Sequence, residues 1–376
     1  MIKNKIGNLM NKSENLGKSK RIFYYDVLRA IAIIGIVFCH VSVFFVTRDI
    51  NSPNLYISAF FDCFREFSIP IFVMLSGALL IGKKDTLTKF FKKRLSRLFI
   101  PFLFWVLIYI IYTNIHVYHG FSLSNAIGIF FGKSGTIGVH LWFVWMIIIA
   151  YVGIFIINKI IQMEESKIND FTKKFIAILA VISVIYIGIC HFTSFNPYNS
   201  KLIYYLSFLA YIVIGYFLAK SDFLERRIDR KYLITITAIL FVGTYLWYIF
   251  GFVVPRSHLA HKFVALSYFN LKILFMSANA FLLFKYLSKT KHFEDMENKA
   301  LGNAFTTISN YSYGIYLVHY LVLYDLKMNL IKVINFSNGH PLIWIPVLVI
   351  LTTAISLIIL AIFDKIPYLD KVTGKK

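Results

Sequence analysis

The stretch "DVLRAIAIIGIVFCH" (residues 26–40) is almost wholly apolar, yet Asp26 and Arg29 lie at one end and His40 at the other. An apolar run of this kind predicts a membrane-spanning helix. Ionisable side chains are costly in lipid, so each one inside a span is a candidate functional residue. The stretch therefore predicts a membrane helix that also carries functional groups.

The whole chain has the composition of a membrane protein. Of its 376 residues, 58% are hydrophobic and 15% charged, and the mean hydropathy is +0.69. Soluble domains contain only about 45–50% apolar residues. A window of about 20 apolar residues finds ten candidate spans, at 22–46, 57–81, 99–117, 140–161, 174–191, 201–219, 232–250, 263–287, 304–324 and 341–363.

These spans predict an all-α polytopic membrane protein with about ten transmembrane helices and no soluble catalytic domain. The expected organisation is a basic tail over residues 1–21, a transmembrane domain over 22–363 and a second tail over 364–376. Residues 1–20 lack the apolar core and small-residue cleavage site of a signal peptide, so the first span should be retained. The three cysteines (Cys39, Cys63 and Cys190) indicate neither a disulfide framework nor a metal site.

The distribution of basic residues orients the chain. With the N-terminus inside, cytoplasmic segments carry 30 lysines and arginines, and the outer loops carry 7. This bias predicts that both termini are cytoplasmic. The net charge of +22 is explained by the attraction of these basic residues to the anionic inner leaflet. This explanation excludes a nucleic-acid-binding function.

Helix geometry places the two most unusual groups of the first span together. Arg29 and His40 are eleven residues apart, which is three full turns plus about 20° on an α-helix. They therefore share one face, separated by about 16 Å along the axis. Asp26 precedes Arg29 by three residues and can form an ion pair with it. The alternative is that Arg29 reaches the headgroups and His40 satisfies a backbone carbonyl.

The second span contains both charged and small residues. Asp62, Arg65 and Glu66 lie near its outer end, where a structural ion-pair cluster competes with a functional role. Ser76 and Gly77 lie near its inner end, and their small size alone favours close helix packing.

Two loops and a later helix complete the set of candidates. The stretch "TLTKFFKKRLSRLF" (residues 86–99) is most simply interpreted as a membrane-surface amphipathic helix. Within it, Arg94 and Arg97 share a helical face and suit a phosphorylated ligand, with ordinary positive-inside anchoring as the alternative. The glycine-rich segment 119–140 is too broken to span. His140 and Trp142 lie at the outer edge of the fourth span, where an interfacial aromatic belt is normal. His319 lies in "SYGIYLVHYLV", whose periodicity does not separate a site from a packed polar helix.

Together these motifs resemble the integral-membrane acyltransferase 3 family over residues 20–363. "YYDVLRAIAIIGIVFCH" is similar to the first-span signature of arginine, ten residues and histidine, matched by Arg29 and His40. "SIPIFVMLSGALL", containing Ser76, resembles the second-span signature, although its usual aromatic pair is reduced to Ile71 and Phe72. "KRLSRLFIPFLFW" is similar to the basic R-x-x-R motif, matched by Arg94 and Arg97, and "HLWFVW" and "SYGIYLVH" resemble later signatures.

The resemblance implies a function. Members carry O-acyl groups from acyl-CoA to cell-surface sugars, so we expect acyl-CoA, with acetyl-CoA foremost, as donor and no tightly bound cofactor or metal. It implies His40 and Arg29 as catalytic residues, with Asp26, Ser76 and His319 in support. Arg94 and Arg97 would bind the CoA, and Trp142, His140 and Glu66 would face a carbohydrate acceptor.

It also implies a multi-pass protein of the bacterial plasma membrane, with polysaccharide-assembly proteins as possible partners. Two other functions stay open. Chains with the same resemblance include polysaccharide exporters, and intramembrane charges also mark transport pathways. A non-catalytic membrane component of a polysaccharide assembly complex is the third candidate, although it leaves Arg29 and His40 without a function.

Overall fold

The structure is a computed structural model that describes residues 21–45, 53–117, 120–163, 168–193, 197–250, 268–333 and 340–375. Within these ranges it is α-helical and contains no β-strand. The helices are Phe23–Ser42 (α1), Pro53–Asp62 (α2), Phe64–Leu80 (α3), Leu87–His116 (α4), Leu123–Phe130 (α5), Trp142–Met163 (α6), Ile168–Phe192 (α7), Lys201–Ser207 (α8), Leu209–Lys220 (α9), Arg230–Tyr248 (α10), Leu271–Leu287 (α11), Lys291–Glu297 (α12), Ala300–Asn310 (α13), Ser312–Val333 (α14) and Pro341–Phe363 (α15).

Helix α1 is the central helix of the bundle. It packs against α2, α3, α11, α13, α14 and α15, and almost all of its length is buried. An all-round buried helix needs apolar residues on every face, which explains why the opening stretch contains so few polar positions. Those few polar side chains therefore face other helices.

The number of spans agrees only in part with the sequence prediction. Among the described residues, eight helical segments are long and apolar enough to cross a membrane, or up to nine if α11 and α12 are taken as one span bent by 87°. The predicted span at 304–324 was wrong in its bounds, because α13 ends at Asn310 and α14 begins at Ser312. The predicted span at 263–287 becomes α11, which begins at Leu271, while residues 263–267 lie outside the described residues.

The basic segment 86–99, interpreted from the sequence as a membrane-surface amphipathic helix, is helical and continuous with the third predicted span. It is the first part of α4, which continues without a break through Pro101 to His116. Thr86 caps the helix by accepting a hydrogen bond from the backbone N–H of Lys89. Phe90 is fully buried inside the bundle, so this face of the segment cannot lie on the membrane surface.

Two ends of the bundle differ in chemistry. Arg21, Lys83 and Lys285 lie at the end that the charge distribution predicts to be cytoplasmic, which we call the basic end. At this end the Lys285 ammonium donates to the carbonyl oxygen of Leu218 at 2.9 Å and pairs with Glu225 at 3.3 Å. At the opposite end, α5 packs its Ile129 inward, and the indole N–H of Trp145 donates to the carbonyl of Phe130 at 2.8 Å.

Residues 364–375, predicted as a tail, fold back onto the bundle. Val372 and Thr373 are buried, and the carbonyl of Val372 accepts a hydrogen bond from the Trp105 indole at 3.1 Å. The carbonyl oxygen of Thr373 lies so close to Gly314 that a Cβ there would be 2.1 Å away. This segment therefore fills the space between α4 and α14.

An ion pair closes the same segment on itself. The Lys375 ammonium pairs with the Asp364 carboxylate, which also accepts a hydrogen bond from the Tyr311 hydroxyl at 2.9 Å. The bond from Lys375 holds the pKa of Asp364 below its ordinary value. Docking of this segment therefore relies on a carboxylate that stays ionised under ordinary conditions.

Glycines allow α3 and α9 to approach closely. A Cβ on Gly77 would lie 1.9 Å from the carbonyl oxygen of Ile212, and a Cβ on Gly215 would lie 2.3 Å from Met74 Cα. Close approach of backbones at small residues is a principal way in which membrane helices associate. Gly77 thus has the packing role that its small size favours.

We predict that Gly77→Ala destabilises the bundle, because its Cβ would meet backbone atoms that cannot rotate away. Overpacking of this kind costs about 1–3 kcal/mol or more. Gly188→Ala is the matched control, since a Cβ there meets nothing within 4 Å and alanine is the better helix former by about 1 kcal/mol. Thermal unfolding in detergent measures both. Equal melting temperatures for the two variants would contradict the packing assignment.

Candidate functional site

Three histidines from different parts of the chain meet beside α1. His40 lies on α1, His319 on α14, and His140 on the short 3₁₀ turn before α6. The ring centroid of His40 is 5.2 Å from that of His319 and 6.0 Å from that of His140, and the other two are 5.1 Å apart. Sequence reasoning identified all three residues, and the structure brings them into one cluster, which we call the histidine cluster.

The three rings differ in access. His140 and His319 are buried, while His40 is only partly buried. His40 makes no hydrogen bond to any residue that the structure describes, and its ring packs edge-on against Tyr320 at 5.0 Å. A substrate that reaches the cluster would therefore meet His40 first.

No group of three or more His, Cys, Asp or Glu side chains within the described ranges has the arrangement of a metal site. The chemistry we consider for the cluster is that of imidazole, which can accept and donate protons near neutral pH.

Tyrosines surround the histidine cluster and were not predicted as site residues from the sequence. Tyr320 stacks on His140 with centroids 5.2 Å apart and planes 20° apart. Tyr316 donates a hydrogen bond to the backbone carbonyl of His140. The only signal for Tyr320 was its position next to His319, which is weak because adjacent helical residues point about 100° apart.

The other end of α1 carries a buried ion pair. Arg29 Nη1 donates to Asp26 Oδ1 at 3.2 Å and to the Ser309 hydroxyl at 3.0 Å, and the Ser309 hydroxyl donates to Asp26 at 2.6 Å. Arg21 binds the other oxygen of Asp26. The pairing of Asp26 with Arg29 agrees with helix geometry, whereas Ser309 on α13 is a partner that the sequence did not indicate.

This network leaves part of the Arg29 guanidinium uncommitted. Its Nε and Nη2 donors bond to no residue of the described ranges, although the side chain is largely buried. A buried guanidinium with spare donors can bind an anion or a carbonyl oxygen. Arg29 is thus both anchored by Asp26 and available to a ligand.

A second charged cluster lies beside the histidines. Arg65 pairs with Glu66 at 2.7 Å and with Asp62 at 3.4 Å, and its Nη1 lies 3.7 Å from the sulfur of Cys39, the residue before His40. Glu66 is 1% exposed. Its carboxylate is therefore held by Arg65 rather than by a histidine, which supports the ion-pair alternative for this cluster.

The two arginines of the R-x-x-R motif have different surroundings. Arg94 donates to Asp85 at 3.1 Å and to the carbonyl of Phe90 at 2.9 Å, and it lies 3.8 Å from the Phe90 ring centroid. Arg97 is exposed. Burial, together with the neighbouring Arg94, lowers the pKa of Lys83. This corner of the basic end therefore concentrates positive charge that a bound anion would relieve.

Two groups of aromatic rings lie in the interior, one near Arg94 and one beside the histidine cluster. The ring of Tyr151 lies 6.3 Å from that of Phe90, next to Arg94. Tyr313 stacks on Tyr316 at 6.3 Å, and Tyr316 packs against His140 at 5.4 Å. These rings occupy the interior between the basic end and the histidine cluster.

Two predicted site residues, Trp142 and Ser76, lie in surroundings that do not indicate a role in the site. Trp142 stacks on Tyr205 at 6.2 Å and on Tyr268 at 6.4 Å, within a dense group of aromatic rings. The Ser76 hydroxyl donates to the carbonyl of Phe72 in its own helix. No contact joins either residue to His40 within the described residues, so their roles stay predictions.

Comparison with known proteins gives one match. A family model described as an acyltransferase domain matches residues 22–361. No curated protein and no solved structure matches the chain.

We predict that Asp26→Asn destabilises the protein, because it leaves the Arg29 charge buried and poorly compensated. Breaking a buried ion pair from one side costs about 3–5 kcal/mol. The matched control is Asp222→Asn, which breaks an exposed pair with Arg226 at 2.7 Å, and exposed pairs contribute only about 0–1 kcal/mol. Melting temperatures in detergent distinguish the two. A loss for Asp26→Asn no larger than that of the control would show that the network is not a stabilising element.

Proposed function

The chain belongs to the acyltransferase 3 family and is a membrane acyltransferase, and on that premise we propose that it is an O-acyltransferase that uses acyl-CoA. In this proposal the acyl group is acetyl, the donor binds from the cytoplasm, and the acceptor is a hydroxyl of a cell-surface or lipid-linked carbohydrate. The membrane is the plasma membrane of a bacterium. The observation that carries the proposal is the histidine cluster around the partly buried His40, which lies on the same helix face as Arg29.

The donor side of the proposal rests on the basic end. Arg97 and Lys83 offer cations near the surface, and Arg94 lies just inside them. Guanidinium groups bind phosphate oxygens through paired hydrogen bonds. The spare donors of Arg29 lie deeper, where they would meet the acyl-bearing arm of CoA rather than its phosphates.

The chemical step uses His40 as general base. Its ring nitrogen takes the proton of the acceptor hydroxyl while the hydroxyl oxygen attacks the thioester carbonyl carbon. The carbon–sulfur bond then breaks, and the CoA thiolate receives the proton from the imidazolium. Imidazole suits both transfers because its ordinary pKa lies near neutrality. An acyl-histidine intermediate on His40 is the alternative route, and it uses the same residue.

The distance between Arg29 and His40 assigns them different parts of the reaction. About 16 Å along α1 is too far for both to contact one carbonyl group. Arg29 therefore acts on the bound donor at a distance from the reacting carbon, and His40 acts where donor and acceptor meet. This separation suits a donor that arrives from one side of the membrane and an acceptor from the other.

We expect His40→Ala to lower acyl transfer by roughly 10²–10⁴-fold, the usual contribution of a general base. The assay incubates membrane vesicles containing the protein with radiolabelled acetyl-CoA and counts label in the glycan fraction and free CoA thiol. Full transfer by His40→Ala would exclude its role as base. Movement of glycan across the vesicle membrane without thiol release would instead support the exporter alternative.

We expect Arg94→Gln combined with Arg97→Gln to raise the KM for acetyl-CoA and to leave the KM for the acceptor unchanged, because only the donor carries phosphates. The control is Arg227→Gln. Arg227 lies over the Phe223 ring at 4.4 Å, four residues before it, as Arg94 lies over Phe90. An equal effect of the control, or an unchanged KM for acetyl-CoA in the double variant, would indicate that Arg94 and Arg97 only anchor the helix at the cytoplasmic side.

A further inference from the structure

The hydrogen bonds around His319 determine which of its nitrogens carries the proton. Nδ1 lies 2.9 Å from the backbone carbonyl oxygen of Ile315, one helical turn earlier. A carbonyl oxygen only accepts hydrogen bonds, so Nδ1 must be protonated in the neutral ring. The lone pair of His319 therefore lies on Nε2.

The same reasoning applies to His140 through Tyr109. The Tyr109 hydroxyl donates to the carbonyl of Leu317 at 3.0 Å and accepts from the N–H of Leu321 at 3.0 Å. Its one proton is thus committed, and His140 Nε2, 3.5 Å from the hydroxyl oxygen, can only donate to it. The lone pair of His140 therefore lies on Nδ1.

Both lone pairs are buried and lack a donor. Nε2 of His319 and Nδ1 of His140 are inaccessible and have no hydrogen-bond partner among the described residues. Buried polar atoms in native proteins are nearly always hydrogen-bonded, so an unpaired one requires an explanation. Two unpaired acceptors on adjacent rings indicate that a hydrogen-bond donor belongs beside them. We expect this donor on the accessible side of the cluster.

His40 is the group placed to be that donor. Its ring lies against both others, at 5.2 Å from His319 and 6.0 Å from His140. At the separation from His319, a nitrogen of one ring pointing at the other comes within hydrogen-bonding distance, whereas His140 is farther away and packs beside the pair. His40 is the member of the cluster whose side chain makes no hydrogen bond in the described part of the chain, so neither of its ring nitrogens is committed to another partner.

We infer that His319 is a positioning residue for His40: its Nε2 lone pair accepts a hydrogen bond from the inward ring nitrogen of His40, and His140 packs beside the pair. This inference rests on the proposed role of His40 as base. With the proton held on the inward nitrogen, the lone pair of His40 faces the accessible side, where the acceptor hydroxyl arrives. When His40 takes the hydroxyl proton, the imidazolium keeps its inward hydrogen bond until the outward proton passes to the CoA thiolate.

The nearby carboxylates explain why neutral rings take this role. In many hydrolases an aspartate orients the catalytic histidine. Here Glu66 and Asp62 are both bound to Arg65, and Arg65 also contacts Cys39 next to His40. Both carboxylates are thus held at Arg65, and within the described residues neither bonds to a histidine of the cluster, so imidazole nitrogens provide the acceptors instead.

The test compares two substitutions of His319 that differ in acceptor capacity. His319→Phe keeps a buried ring and removes the acceptor, whereas His319→Gln supplies a carbonyl oxygen near the position of Nε2. We expect His319→Phe to lower kcat by roughly 10–100-fold, as loss of an orienting partner does elsewhere, with the KM for acetyl-CoA unchanged. We expect His319→Gln to recover most of the rate. His191→Phe, on α7 outside the cluster, is the control and should retain full activity.

The outcomes separate this inference from the proposed function. Equal rates for His319→Phe and wild type, or no difference between His319→Phe and His319→Gln, would overturn the positioning role. If His40→Ala is inactive in the same assay while His319→Phe is fully active, only the positioning role fails. If His40→Ala is active, the proposed base itself fails. Should His319→Phe not fold, as judged by its melting temperature, His319→Met against His319→Gln provides the same comparison.

Discussion

The Asp26 carboxylate is the interaction on which the placement of α1 depends. A helix at the centre of a membrane bundle has no water with which to solvate a charge, yet α1 must carry Arg29 through that environment. Asp26 accepts bonds from Arg29, Arg21 and Ser309 at once. These bonds neutralise the guanidinium and tie α1 to α13. Because α1 is held in this orientation, the face that carries Arg29 is also the face that presents His40 to the bundle interior.

The histidine cluster depends on three elements that are far apart in sequence. Helix periodicity relates Arg29 to His40 because both lie on one helix, and this relation could be predicted from the sequence. No local pattern relates His40 to His140 or His319, since α6 and α14 are positioned by tertiary packing. The same limit applies to Ser309, which lies 283 residues from Asp26.

Helix ends were the other part that the sequence did not predict well. Hydropathy found the apolar centre of α4 at 99–117 but missed that its basic start is the same helix, because the burial of Phe90 depends on Tyr151 and Phe155. It merged α13 and α14, because a boundary at Tyr311 between two helical segments leaves no change in composition. The distribution of basic residues did place Arg21, Lys83 and Lys285 at one end, since the positive-inside rule depends on composition alone.

The packed segment 364–375 has a practical consequence for work on this protein. Topology is often mapped by fusing a reporter after the final span, and here that would mean cutting near Phe363. Such a fusion would remove Thr373 from beside Gly314 and Val372 from its bond to Trp105. It would thereby open a gap between α4 and α14 in the very bundle it reports on. A reporter or affinity tag joined beyond Lys375 leaves those contacts in place and is the better design.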